Sequence, residues 1–209
     1  MAITINGTSG ISGVDGSAGT PALQGSDPNT GISFGTDEVQ LITGGTQRAL
    51  VDSTGYLRLA GAGIQFNGDT AAANALDDYE EGLYTPSLSF SGGGTPTYNY
   101  QYASYVKIGN LVHVNGYLSC TSVSGTSGTV RLSGLPYATK NSSFLYQAPA
   151  IGWYSNLTGI TAYGMGLDMA PNLTNHTMVY GNGTGVSGLN ASNITNNFAI
   201  EWAFTYYSN

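Results

Sequence analysis

The chain has 209 residues, of which only 8% are charged, and a formal net charge of −7, so it is long enough for one ordinary domain plus some extended structure. Ten of the twelve carboxylates lie in residues 1–85 with two arginines, whereas residues 86–209 have two carboxylates and three cationic side chains. Neither part has the basic stripe that phosphate binding requires, which excludes a nucleic-acid partner.

The chain opens with glycine at every third position from residue 7 to residue 19, in the stretch GTSGISGVDGSAGTP. A collagen-type triple helix needs this spacing, because only glycine fits at its crowded axis, and it would make the protein a trimer. An extended, intertwined or flexible glycine-rich segment accounts for the same spacing. Both interpretations make residues 1–33 a slender N-terminal segment that attaches the protein to a partner.

Short strand-like pieces follow between residues 34 and 66, separated by GG and STG turns. EVQLIT, RALVD and YLRLA are each too short to bury a face alone. We therefore expect residues 34–83 to form a short-strand shaft with a connecting helix, and residues 34–66 of it to fold only in a homotrimer.

The stretch GDTAAANALDDYEEG predicts the one short helix of the chain, over residues 69–81 and connecting shaft to head. Asp69 is a suitable N-cap, and alanine and leucine favour the helix. The acidic side chains of this stretch lack the alternating spacing of a Ca²⁺ loop and indicate a solvated face. A narrow apolar stripe at i, i+4 and i+7 is expected to form the trimer interface near the threefold axis; it consists of Ala72, Leu76 and Tyr79.

From residue 84 onward the sequence is typical of an antiparallel sheet. SYVKI and LVHVNGYLSC flank Gly109-Asn110 and predict a hairpin with glycine first in a tight turn. The last strand alternates strictly, and its apolar face consists of Phe198, Ile200, Trp202, Phe204 and Tyr206. Many short strands separated by turn clusters predict a jelly-roll-like β-sandwich head over residues 84–209, and hence an all-β fold class.

The aromatic content of the head is typical of a sugar-binding surface. The chain has fifteen tyrosines against five cationic residues, and flat rings stack on sugars while amides and hydroxyls hydrogen-bond them. In IGWYSN we predict Trp153, Tyr154 and Asn156 as receptor-binding residues. In PTYNYQYASY we predict Tyr98 and Tyr100, on one face of an extended segment with Tyr102. Packing in the core or in the trimer interface is the alternative for each ring taken singly.

The sequence predicts no catalytic site, metal site or cofactor. His113 alternates with valines, His176 lies in a polar stretch, and neither has another histidine or a cysteine at metal spacing. The carboxylates of the head, Asp168 and Glu201, would meet as a glycosidase pair only by chance of fold. Cys120 is alone, which excludes an internal disulfide. Without a signal peptide or an 18-residue apolar run, we expect a chain made in a cytoplasm and not inserted in a membrane.

Several stretches resemble structural proteins of tailed bacteriophages, cyanophages included. DPNTGISF, VQLITGGTQRALVDSTGYL, ALDDYEEGLYTP, YVKIGNLVHVNGYLS and SGLPYA occur in this order in tail fibres and other virion proteins of this kind. The similarity covers about residues 27–136 and departs at Leu83-Tyr84, where the family often has Thr-Trp. The resemblance implies a homotrimer located in the virion, with a slender N-terminal part and a β-sandwich head.

Two functions are compatible with this resemblance. In the first, the protein is a tail fibre whose head binds host surface polysaccharide while its N-terminus docks on other tail or baseplate proteins. In the second, it is a capsid or tail decoration protein that binds nothing on the cell. The tyrosine-rich head favours the first function.

Overall fold

The computed structural model describes residues 4–7, 10–12, 14–61, 63–143, 147–160 and 164–209. Within these ranges the regular structure is β-strand apart from two 3₁₀ turns, which confirms the all-β fold class. The chain divides after Asp77 into an N-terminal unit and a C-terminal unit, Asp78–Asn209.

The N-terminal unit is built from short antiparallel strands. They are β1 (Thr4–Asn6), β2 (Gly10–Ser12), β3 (Gly16–Ser17), β4 (Thr20–Pro21), β5 (Leu23–Gln24), β6 (Gly31–Gly35), β7 (Glu38–Thr43), β8 (Thr46–Val51) and β9 (Leu57–Leu59). Strands β5 to β9 form one five-stranded meander, whereas β1 pairs with β2 and β3 with β4. A 3₁₀ turn, Ala72–Asn74, follows the meander.

The glycine triplets do not form a collagen-type strand where the structure describes residues 16–21. β3 and β4 pair antiparallel within one chain, and Gly16 has a φ of 75°. A collagen strand has a φ of about −75° and makes no hydrogen bonds within its own chain. The collagen-type interpretation is therefore wrong for these residues, and Thr8, Ser9 and Gly13 lie outside the described residues.

The C-terminal unit consists of two antiparallel sheets. The strands are β10 (Tyr79–Tyr84), β11 (Ser87–Phe90), β12 (Thr97–Ile108), β13 (Leu111–Ser122), β14 (Val130–Ser133), β15 (Ala150–Ile151), β16 (Trp153–Leu157), β17 (Met165–Asp168), β18 (Asn175–Gly181), β19 (Val186–Gly188) and β20 (Ile194–Tyr207). The first sheet has the order β10-β12-β13-β20-β16. The second has the order β11-β14-β18-β17-β15, with β19 paired to β18. The second 3₁₀ turn, Ala191–Asn193, precedes β20.

The helix predicted over residues 69–81 is wrong. Only the 3₁₀ turn at Ala72–Asn74 forms there, although the Asp69 carboxylate does accept a backbone N–H two residues on, at 2.8 Å. The chain then extends, because Leu76 bridges to Ile64 and the next residues enter β10. Strand pairing outcompetes a helix that is too short to be stable alone.

The two sheets of the C-terminal unit bury one hydrophobic core between them. The predicted hairpin is confirmed, since Ile108 pairs with Leu111 across a turn in which Gly109 has a φ of 55°. The predicted apolar face of the last strand is also confirmed, and all five of its residues are buried. The second sheet contributes Leu88, Val130, Leu132, Leu167 and Met178. Alternate residues of the first sheet point away from this core and form what we call the outer face.

A histidine lies inside this core, and its environment predicts a pH-dependent stability. His176 on β18 is 1% exposed, and burial lowers its pKa to about 4 from an ordinary value of 6.5. Between pH 6.5 and pH 4, this imidazole therefore binds a proton in the unfolded chain and stays neutral in the folded chain. We expect the free energy of unfolding to be highest above pH 6.5 and to fall by about 3 kcal/mol as the pH drops towards 4.

Urea unfolding of wild type and of His176→Leu at pH 7.5, 6, 5 and 4 checks this expectation. The variant removes the buried imidazole and retains the other titratable groups, so its profile should be flatter by the stated amount. Parallel pH profiles for the two proteins would contradict it.

Candidate functional site

The outer face of the first sheet presents three parallel rows of side chains. The central row consists of directly opposed residues on four neighbouring strands, Tyr102, Tyr117, Glu201 and Trp153. The row on one side consists of Ser104, Asn115 and Ala203. The row on the other side consists of Tyr100, Ser119, Ala199 and Ser155.

Three aromatic rings of these rows form a continuous series. Tyr117 and Trp153 approach across the intervening strand β20, with centroids 6.4 Å apart and planes inclined by 29°. Tyr100 lies 6.3 Å from Tyr117 on the other side. Tyr100 is 60% exposed and Trp153 is 46% exposed, so both rings offer surface to a ligand.

A groove of about 590 Å³ lies between the central row and the Ser104 row, and we call it the main groove. Its polar lining comes from Glu201, Asn115 and Ser104, whose hydroxyl donates to the Asn115 side-chain oxygen. Its aromatic lining consists of the outer-face rings of Tyr102, Tyr117 and Trp153. Glu201 is the one charged side chain among the lining residues that the structure describes. An open apolar groove with a few polar groups is typical of a surface that binds an uncharged, ring-shaped ligand.

The fold of the chain is similar to that in the crystal structure of the Dettilon tailspike protein, with a TM-score of 0.53. The two sequences are 17% identical, and at this level the similarity shows the fold alone. It covers 63% of this chain and 24% of the tailspike chain, so this chain spans about a quarter of the length of that protein. No family model matches the sequence, and no curated protein is significantly similar to it.

Two of the predicted receptor-binding residues come together on the outer face. Trp153 lines the main groove, and Tyr100 lies one row away from it. Tyr154, the next residue along β16, points to the opposite side and packs against the core. Asn156 lies at a β-bulge between β16 and β20, where its side-chain amide donates to the Asn197 carbonyl at 2.7 Å. A receptor-binding role for Asn156 stays a prediction.

Tyr98 does not share a face with Tyr100, so that part of the prediction is wrong. A β-bulge at Asn99 reverses the alternation, because Tyr98 pairs with Cys120 whereas Tyr100 pairs with Ser119. The Tyr98 hydroxyl lies between the two sheets and accepts the backbone N–H of Leu88 at 2.7 Å. Burial raises the pKa of Tyr98.

The residues predicted for a trimer interface do not form one stripe. Ala72 lies in the 3₁₀ turn, Leu76 lies in an extended bridge, and Tyr79 begins β10. The spacing i, i+4 and i+7 places residues on one face only in a helix, and no helix forms over these residues. Leu76 and Tyr79 are nevertheless exposed apolar side chains, and a role for them between subunits stays a prediction.

Sequence reasoning missed Tyr117, Asn115 and Ser119 as site residues. The signal that locates Tyr117 is the Gly109-Asn110 turn, because Tyr102 and Tyr117 are each the seventh residue from it on their own strands. No comparable signal in the sequence aligns β16 with β20, because the two strands are far apart along the chain.

The described residues show no group of three or more His, Cys, Asp or Glu side chains arranged to hold a metal ion. In the same part of the chain, no helix has the length and apolar character needed to cross a membrane.

Proposed function

We propose that this chain is a bacteriophage tail protein whose main groove binds polysaccharide on the surface of the host cell. The single observation that carries the proposal is the series of three rings, Tyr100, Tyr117 and Trp153, beside a groove with hydroxyl, amide and carboxylate groups. Sugars present apolar ring faces to aromatic side chains and hydroxyls to polar ones. The fold similarity to a tailspike supports the assignment to a phage tail.

The groove is suited to binding a polysaccharide without cleaving it. Glycoside hydrolysis ordinarily uses two facing carboxyl groups, and the described lining of the main groove has Glu201 alone. Asp168, the other carboxylate considered from the sequence, lies in the second sheet, whereas Glu201 lies on the outer face of the first. The negative charge of Glu201 favours a neutral glycan over an acidic one.

The N-terminal unit supports a homotrimer. A row of directly opposed apolar residues crosses four strands of its meander and is exposed along its whole length; it consists of Phe34, Val39, Val51 and Leu57. The buried hydrophobic residues described in this unit are only Ile42 and Ala49. An exposed apolar row of this length indicates a partner surface, and in this proposal the partners are two further copies of the chain. The residues before the meander dock on other tail proteins.

Light scattering of the full chain should therefore give about three times 21.6 kDa. Val51→Asp should shift the protein towards the monomer, because the substitution places a carboxylate in each copy of the apolar seam. Thr46→Asp, at an exposed turn of the same meander, is the matched control and should remain trimeric. A monomeric wild type, or a trimeric Val51→Asp variant, would contradict the trimer.

The binding proposal is tested by adsorption of the fluorescently labelled full chain to host bacteria before and after mild periodate oxidation. Periodate cleaves vicinal diols of surface sugars, so adsorption should be lost after oxidation and should survive treatment of the cells with protease. Loss of adsorption after protease treatment would indicate that the receptor is a protein. Absence of adsorption to untreated cells would favour the decoration-protein alternative.

A further inference from the structure

A small cavity adjoins the main groove on the far side of the Tyr117–Trp153 pair, and we call it the side cavity. Its volume is about 210 Å³. The same two rings line both spaces, so a sugar stacked on them would have substituents directed into the side cavity. Its other lining residues are Asn99, Ser119, Cys120, Ser155, Asn197 and Ala199.

The floor of the side cavity combines an apolar surface with a buried hydroxyl. Ser119 and Ala199 are directly opposed on β13 and β20, and register places both on the outer face. They are nevertheless only 6% and 4% exposed, so they lie deep in the cavity. Within the described part of the chain, the Ser119 hydroxyl has no hydrogen-bond partner.

A buried hydroxyl without a partner is unfavourable, and native structures rarely retain one. Ser119 lines a cavity that opens beside the aromatic rings, so a ligand group is in a position to satisfy it. That group must form a hydrogen bond with the Ser119 hydroxyl, which can donate or accept, and it must also fill the apolar space next to Ala199.

Resting on the polysaccharide binding proposed above, we propose that the side cavity holds the acetamido group of an N-acetylhexosamine. The acetamido carbonyl accepts from the Ser119 hydroxyl, and its methyl group packs on the floor at Ala199. Its N–H donates to a side-chain oxygen at the rim, where Asn99 and Asn197 lie. The sugar ring then stacks on Trp153.

The chemistry of the lining disfavours the other common sugar substituents. A sugar carboxylate would enter a cavity whose described lining has no cationic side chain, and so would lose its hydration without compensation. A plain hydroxyl would satisfy Ser119 and leave the apolar floor unfilled.

Nuclear magnetic resonance titration of the full chain with three matched pairs of methyl glycosides tests the proposal. The pairs are N-acetylglucosamine with glucose, N-acetylgalactosamine with galactose, and N-acetylmannosamine with mannose, whose members differ only in the acetamido group. At least one N-acetylated member should bind about fivefold more tightly than its partner, as expected for one hydrogen bond and a buried methyl group.

Ser119→Ala should fold like wild type, since it removes a hydroxyl without a partner in the described residues, and should reduce that preference to less than about twofold. Thr205→Ala, an exposed hydroxyl on β20 away from the side cavity, is the control and should retain the preference. Lack of preference in all three pairs, or a preference that survives Ser119→Ala, would overturn the acetamido proposal. Periodate-sensitive adsorption to cells would then still support polysaccharide binding, whereas its absence would overturn both.

Discussion

Trp153→Ala is expected to weaken polysaccharide binding by about 30-fold per site, because a central aromatic side chain of a binding surface contributes about 2 kcal/mol. The indole lines both the main groove and the side cavity and stacks against Tyr117 at 6.4 Å. Its removal therefore deletes one stacking surface and leaves a second ring without support. In a trimer with three linked sites, the loss of apparent affinity should exceed the loss per site.

Calorimetric titration with oligosaccharide fragments of a bound polysaccharide measures the effect per site. Tyr56→Ala is the matched control, since it removes an exposed aromatic ring from the N-terminal unit. The control should bind like wild type, and thermal unfolding should show both variants folded. A dissociation constant for Trp153→Ala within twofold of wild type would contradict the assignment of the groove.

Gly116→Val is expected to destabilise the C-terminal unit by about 3 kcal/mol through overpacking. A Cβ atom at Gly116 would lie 2.4 Å from Cζ2 of Trp202 and 2.8 Å from Cβ of Ala103. Trp202 has little freedom to move, because it is 2% exposed and its Nε1–H donates to the Tyr84 hydroxyl at 3.1 Å. Burial also raises the pKa of Tyr84 to about 12, so this hydroxyl stays neutral and available as an acceptor at ordinary pH.

A double-mutant cycle in urea isolates the contact between Gly116 and Trp202. Trp202→Ala alone should cost about 4 kcal/mol from the cavity it leaves. Combined with Gly116→Val it should cost about 2 kcal/mol less than the sum of the two single changes, because the added methyl groups occupy that cavity. Additive free energies would show that valine at position 116 clashes with another group.

The elements that could be predicted from the sequence are those whose signal lies within the element itself. The alternation of the last strand predicted its buried face correctly, because a period of two has only one arrangement that buries Phe198, Trp202 and Tyr206 together. The Gly109-Asn110 pair predicted the β12–β13 turn, since only a positive φ at the first position closes so tight a hairpin.

The prediction of a helix over residues 69–81 was wrong because the sequence signals for it were local and weak. The Asp69 carboxylate does accept the backbone N–H of Ala71. The following residues, however, gain more hydrogen bonds by pairing with distant strands than a helix of about three turns provides. Tyr79 to Tyr84 pair with β12 in an unbroken register, and this tertiary pairing is invisible to local propensity.

The candidate site was only partly predictable for a related reason. The identity of Trp153 as an exposed strand residue follows from composition and position, and the structure places it in the groove. Its neighbours Tyr117 and Glu201 come from two other strands, and their meeting depends on the register between strands far apart in sequence. Tyr98 shows the converse, because a single-residue bulge moved a predicted site residue to the other face.

The most direct test of the central claim is binding of the labelled full chain to an array of purified bacterial lipopolysaccharide and capsular polysaccharides. The groove as described predicts that wild type and Tyr56→Ala bind the same subset of neutral polysaccharides, and that Trp153→Ala binds none of them above background. Absence of binding by wild type, or retention of the same subset by Trp153→Ala, would contradict the claim that this groove recognises the host.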